Sequence, residues 1–240
     1  MKRTAIVTAI LVALMLLLCS CTTVSSDSSG WQGDADDTTP IFSSYSNFVE
    51  LKSKRFGSFT QKVYSSKDLA LSAGSKLLSV SAIDLQFLPL SLLDNAEKAD
   101  GSFEGNAKGY LNSVVTVKDG IFDIEYDTYT GKKRESIYGS FSSDSGYMSC
   151  KKTVDGIVTA SLEYIPEENG YVSQYRNFET GEIVRIGFDA DRFELAIFDG
   201  SEYTELDKVA KEAFLEGSVV SIVEKDGKLE ANVEGETILA

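Results

Sequence analysis

The sequence predicts an α+β domain: an antiparallel β-meander of about 8–10 strands, half-barrel or barrel-like, packed on helices. Two observations carry the prediction. Beyond Gly101 apolar residues alternate with polar ones and glycine-containing turn pairs recur, whereas from Ile41 to Asn95 apolar residues fall at helical spacing or in long runs. A third observation sets the scale: 240 residues, 42% hydrophobic and 25% charged, suffice for one globular domain with a sizeable core.

The chain opens on a basic head, Lys2 and Arg3, followed by an uncharged apolar run from Thr4 to Leu18. That is the shape of a signal peptide, and the run is short of the roughly 20 residues that span a bilayer. Leu18, Cys19, Ser20 and Cys21 follow, a leucine, two small residues and a cysteine, and they resemble the lipobox of bacterial lipoprotein precursors. The resemblance implies a lipoprotein signal peptide over residues 1–20 and a mature chain beginning at Cys21, which would carry a thioether-linked diacylglycerol and an amide-linked (palmitate-type) acyl chain. Cys19 is the poorer candidate, because Leu18 would then stand where the family has a small residue. Thr22, rather than Asp, follows the modified cysteine, and this resembles lipoproteins sorted to the outer membrane in bacteria with two membranes. The expected location is therefore the cell envelope, membrane-anchored and facing the periplasm or the cell surface.

Residues 21–40 read as a solvated tether, rich in Ser, Thr, Asp and Gly with Trp31 its one large side chain. Asp34, Asp36 and Asp37 lack the Gly and terminal Glu of an EF-hand loop and are read as linker, not as a metal site. Residues 41–98 form a mainly helical layer. Phe42, Tyr45, Val49, Phe56, Phe59 and Val63 approximate helical spacing, with an interruption expected near Gly57, and the leucine-rich stretch from Ser66 to Asn95 is expected as one buried helix or two meeting near Pro89.

The meander is expected over residues 109–200. Turn pairs stand at Asp119-Gly120, Thr130-Gly131, Ser145-Gly146, Asp155-Gly156, Asn169-Gly170, Thr180-Gly181 and Asp199-Gly200. Between them Phe122, Ile124 and Tyr126 oppose Asp123, Glu125 and Asp127, and Val158, Ala160, Leu162 and Tyr164 oppose Thr159, Ser161 and Glu163, so each strand has one apolar and one polar face. Thr204-Glu205-Leu206-Asp207 resembles a capping box, and Leu206, Val209, Ala210, Ala213 and Phe214 at i, i+3, i+4, i+7 and i+8 predict a helix over 204–216 closed by Gly217. A last hairpin is expected over 218–234 around Asp226-Gly227.

A meander with one apolar face closes on itself or bends around helices, and the helical segment before it favours the open, helix-covered form. In outline this looks like the half-barrel of periplasmic lipoprotein-carrier proteins, whose cavity lies between sheet and helices. On that footing Tyr126, Phe141, Tyr164, Phe188 and Phe193 are candidate ligand-binding residues for an apolar, lipid-like ligand, with packed core as the competing assignment.

Charge and composition exclude much else. A formal charge of −14 offers no basic footprint for nucleic acid. The absence of histidine removes His-dependent triads and imidazole metal sites. Cys150 has neither a disulfide partner in the mature chain nor a histidine base, and is read as buried and inert. Catalysis would have to rest on carboxylates, and Asp123, Glu125 and Asp127 share a strand face in steps of about 7 Å. They are read as solvated surface, as is the run Lys132, Lys133, Arg134, while Asp189 and Asp191 are read as turn residues. The sequence thus predicts a non-enzymatic protein without metal or cofactor, whose partners are a membrane through Cys21, an apolar ligand or, alternatively, an envelope protein engaged in a structural or assembly role through the sheet or the acidic surface.

Overall fold

The computed structural model describes residues 41–98, 100–128, 133–200 and 203–239, all within one compact unit. The signal peptide, Cys21, the tether with its aspartates, the Thr130-Gly131 turn and Lys132 lie outside the described residues. Three helices lead into a meander. They are α1 (Ile41–Ser65), α2 (Lys67–Phe87) and α3 (Leu93–Lys98), the last two joined by a 3-10 turn (Leu88–Leu92). Pro89 sits at the start of the 3-10 turn and divides the apolar stretch there. Gly57 does not interrupt α1: the helix runs through it, because its exposed position asks nothing of the side chain and the flanking Phe48, Phe59 and Val63 are fully buried.

Twelve strands follow in strict order: β1 (Ser102–Ala107), β2 (Tyr110–Lys118), β3 (Ile121–Asp127), β4 (Arg134–Phe141), β5 (Met148–Val154), β6 (Ile157–Glu167), β7 (Gly170–Asn177), β8 (Ile183–Phe188), β9 (Arg192–Phe198), β10 (Val220–Lys225), β11 (Lys228–Val233) and β12 (Glu236–Leu239). Each pairs antiparallel with the next, and the sheet is open, with β1 and β12 at its edges. The molecule is an α+β half-barrel whose sheet bends around helices. Between Tyr110 and Phe198 stand the eight strands β2–β9, matching the alternation.

Asp119-Gly120, Asp155-Gly156 and Asp226-Gly227 form two-residue hairpin turns with both residues at positive φ, the geometry that matches strand twist. Two strands, β1 and β12, lie beyond both the expected meander and the expected last hairpin. The turns that attach them, Lys108-Gly109 and Glu234-Gly235, take the same geometry without Asp or Asn, which is why β1 and β12 carried no turn signal.

Register places one row of side chains toward the helices. Phe122, Gly139, Cys150, Leu162, Tyr175, Val184, Ile197 and Val220 lie side by side across β3–β10. Gly139 is required in that row: a β-carbon there would stand 2.3 Å from Ser149 O and 2.7 Å from the Phe122 ring. α1 packs on α2 and lies over β7 and β9, and α3 lies on β1 and β2.

The helix expected over 204–216 is absent. Its place is taken by single 3-10 turns at Leu206–Lys208 and Lys211–Ala213, separated by extended Val209 and Ala210, and Glu205 caps nothing with its side chain. Leu206 and Phe214 are buried as the apolar pattern implied, but on the sheet side opposite the helices. In that helix the Thr204 carbonyl would accept from the Lys208 N–H; here it accepts from Gln174 and the Lys208 N–H turns to the Glu205 carbonyl, while the Leu206 N–H and the Ala213 and Phe214 carbonyls, groups that helix ends leave without a partner, are taken by Glu163 and Arg185.

Candidate functional site

The five aromatic positions proposed to line a ligand cavity all face the helices, and the structure brings three of them together. Tyr164, Tyr171, Phe188 and Phe193 form a row of rings across β6–β9 with centroids 5.8, 6.0 and 6.1 Å apart. Phe48 of α1 stacks on Tyr164 at 4.4 Å, and Phe59 stacks on Phe193 at 4.4 Å. Tyr126 lies apart, edge-on to Tyr110 at 4.9 Å, with its hydroxyl donating to Glu135 at 2.7 Å. Phe141 is half-buried at the margin of the same core. The space between sheet and α1 over this row is therefore filled by the protein's own rings. Sequence periodicity found Tyr45 and Phe59 but could not say which ring would meet which strand.

The polar tips of this layer are satisfied locally. Tyr164 and Ser44 hydroxyls meet at 3.1 Å, Tyr45 donates to the Phe87 carbonyl at 2.9 Å, and Lys52, almost wholly buried, donates to Asp84 at 2.6 Å. Burial pushes the Tyr45 and Tyr164 hydroxyls well above the usual phenol range, and that of Tyr175 up to about 12.

On the opposite face, alternation places Glu163, Gln174 and Arg185 side by side on β6, β7 and β8. These are buried polar residues, exposed by 2%, 1% and 8%. The Glu163 carboxylate accepts from the Tyr147 hydroxyl at 2.8 Å, Gln174 Nε2 at 3.1 Å and the Leu206 N–H at 3.1 Å, and also from the Tyr203 hydroxyl. Gln174 passes the contact on: its Oε1 accepts from Arg185 Nε at 2.7 Å, and its Nε2 also donates to the Thr204 carbonyl at 2.8 Å. Arg185 donates to the Ala213 and Phe214 carbonyls and lies over the Phe198 ring at 4.5 Å. A carboxylate and a guanidinium are thus bridged by an amide, and the segment 203–215 is strapped over them. Burial, then the Glu163 charge, push the Tyr147 and Tyr203 phenols upward. With its oxygens occupied by four donors and no solvent access, Glu163 fits a clamp rather than an acid or base. Sequence reasoning assigned Glu163 to the polar, solvated face. The one available signal was that Glu163, Gln174 and Arg185 recur every eleventh residue, one strand apart.

The remaining candidates are scattered. Glu125 and Asp127 both pair with Arg134, at 2.7 and 3.1 Å, so they are not a free acid pair, and Asp127 also accepts from Asn112. Asp123 stands outside that ion pair, its carboxyl raised by burial and by Glu125. Asp189 accepts the N–H groups of Asp191 and Arg192 at 2.8 Å, which closes a turn rather than a metal site. Cys150 is buried and unpaired, its thiol raised well above the ordinary range by burial. Among the described residues no group of three or more Cys, Asp or Glu side chains is placed to hold a metal ion.

No protein family, curated protein or solved structure matches this chain.

Proposed function

We propose that this chain is a lipid-anchored protein of a bacterial cell envelope, held by acyl chains on Cys21, whose domain acts by binding a partner at its surface rather than by catalysis. The observation that carries the choice of surface over interior is the filled helix-facing side: Phe48 and Phe59 occupy the positions over Tyr164 and Phe193 that an apolar ligand would need. The anchor reading rests on Leu18-Cys19-Ser20-Cys21, and loss of Lys2 and Arg3 with the signal would take the charge from −14 to −16. Such a charge keeps the domain soluble and favours basic partners. The localisation is the membrane-anchored envelope, outer membrane where the source has two.

The test is made in whole cells. Cys21→Ser is expected to abolish acylation, read as the mass of the N-terminal peptide, and to release the protein from the membrane fraction. In-cell crosslinking of the parent is expected to trap a stoichiometric protein neighbour. An unacylated Cys21, or crosslinks to lipid alone, overturns the respective part.

A second reading, an apolar ligand held among Tyr126, Phe141, Tyr164, Phe188 and Phe193, is favoured by the half-barrel architecture and its apolar concave face. It requires α1 and α2 to lift from the sheet. Saturable uptake of a fatty acid by the delipidated protein, with quenching of its tyrosine emission, would support it, and no uptake would dismiss it.

A further inference from the structure

The side of α2 that points away from the core is unlike the rest of this acidic molecule. Leu71, Leu78 and Leu85 recur every seventh residue and so form one line along the helix, at 77, 39 and 51% exposure, and Leu88 continues the line into the 3-10 turn at 44%. Between them the exposed positions hold Ser72, Ser75, Ser79 and Ala82 and no charge at all. The two charged residues in this stretch are turned aside into ion pairs, Lys76 to Glu182 and Asp84 to Lys52. A surface helix of a soluble protein normally carries its charges on this side.

From this face we infer that α2 is the surface with which the protein rests on the bilayer, its leucines seated at the headgroup boundary. The inference builds on the Cys21 anchor proposed above. Three observations select a lipid surface as the occupant. The first is where α1 begins: Phe42 N–H is held by Glu97 at 2.9 Å and the Tyr45 hydroxyl by the Phe87 carbonyl at 2.9 Å, so Ile41 lies toward the Leu85–Leu88 end of the stripe. Nineteen residues lie between Cys21 and Ile41, a reach of at most about 70 Å, so the anchor keeps the domain, this face included, in the neighbourhood of the membrane. The second is charge. A chain at −14 or below is repelled by anionic headgroups, and between Leu71 and Leu88 the only charges on α2, Lys76 and Asp84, are each held in an ion pair, Lys67 and Asp68 standing exposed at its first turn. The third is area. A 21-residue helix is about 30 Å long and about 10 Å wide, so a second copy packed on it would bury about 600 Å² in total, half the lower bound of about 1,200 Å² for a stable interface. A bilayer has no such threshold here, because the acyl chains supply the affinity and the leucines need only fix the orientation.

The experiment uses the full acylated chain in vesicles of phosphatidylethanolamine and phosphatidylglycerol doped with brominated phosphatidylcholine. Leu78→Cys, and separately Leu85→Cys, is labelled with an environment-sensitive fluorophore, Cys150 being buried, and Tyr138→Cys on the outer side of β4 serves as the control. Quenching several-fold stronger at positions 78 and 85 than at 138 is the expected result. Equal quenching while the protein floats with the vesicles overturns the orientation and leaves the anchor standing. Failure to float, with no acyl mass on Cys21, overturns both. Shielding of the label at position 78 without vesicles, rising with protein concentration alongside a dimer in sedimentation, assigns the face to a second copy and also overturns the proposal.

Discussion

Between β6 and β9 the sheet is buried on both sides, and the two sides are buried by different means. Toward the helices the contact is ring on ring: Phe48 on Tyr164, Phe59 on Phe193, Phe87 edge-on to Tyr175. On the other side the contact is a polar chain, Glu163 to Gln174 to Arg185, that captures backbone groups of the strap. Apolar burial places no demand on the backbone of the covering segment, which can therefore be a helix with its own ladder closed. A polar clamp takes N–H and C=O groups directly, and the segment it holds runs as two 3-10 turns broken by extended Val209 and Ala210 rather than as the helix its periodicity favours. The same amphipathic pattern thus becomes helix on one side and strap on the other.

Phe48→Ala should break the apolar side with the largest effect. The ring also meets Tyr171 edge-on at 5.4 Å, and its loss leaves a cavity under a fully buried site. The expected cost is about 3–5 kcal/mol, read from the urea midpoint of a chain whose strap and sheet should weaken together. A cost under about 1 kcal/mol would mean that the α1 contact does not hold the fold. Glu163→Ala should break the polar side by less overall and more locally. Gln174, Tyr147, Tyr203 and the Leu206 N–H lose their common acceptor, at about 1–3 kcal/mol for a buried group left unpaired. Amide exchange should rise over 203–215 ahead of β6–β9, and uniform acceleration across the sheet would show that the strap is not a separate layer.

The two sides also differ in how far they could be read in advance. The inner side followed from patterns of period two and 3.6, and the helix-to-meander order, Pro89 and the hairpins at Asp119-Gly120, Asp155-Gly156 and Asp226-Gly227 appear in the structure, whereas Asp199-Gly200 follows β9 without closing a two-residue hairpin. The outer side did not, because alternation alone gives Glu163 the same reading as Asp123. Only the crossing of 203–215 over the sheet distinguishes a buried carboxylate from a solvated one. The edge strands β1 and β12 were missed for a smaller reason, since Lys108-Gly109 and Glu234-Gly235 adopt a turn geometry that Lys and Glu do not advertise. Of the ligand-lining candidates, Tyr164, Phe188 and Phe193 proved neighbours while Tyr126 and Phe141 stand elsewhere in the same layer, because residues that share a face need not share a patch.

Alkali should probe both sides at once. Tyr45, Tyr164 and Tyr175 inside, and Tyr147 and the strap's own Tyr203 outside, all have phenols raised above the unfolded value of about 10. Below that value both folded and unfolded chains hold these protons and the stability is complete. Above it the unfolded chain ionises first, so stability falls as pH rises, through about 12 in the case of Tyr175, by at most about 1.4 kcal/mol per pH unit for each of the buried Tyr45, Tyr164 and Tyr175 and by less for the half-exposed Tyr147 and Tyr203, whose shifts solvent screens. The tyrosinate absorbance of these five should therefore appear together with unfolding rather than before it, over and above that of the exposed Tyr138. In Glu163→Ala the outer phenols lose the carboxylate that helps raise them, and their share of the alkaline loss should shrink while the inner share stays.

The smallest effect is expected from Gly57→Ala, and it bears on whether the two covers are energetically coupled. Gly57 lies in the interior of α1, its φ is helical, and a β-carbon there would meet nothing within 4 Å. Alanine should therefore stabilise the helix by about 0.5–1 kcal/mol with no cost in packing. If α1 and the strap are separate layers on a common sheet, exchange should slow over α1 and stay unchanged over 203–215, because the strap's opening does not require α1 to leave. Equal slowing in both segments would instead mean that the strap opens only when the whole domain unfolds. The Glu163 clamp would then be as much a part of the global fold as the aromatic stacks, and the division between an apolar and a polar side would describe chemistry without describing cooperativity.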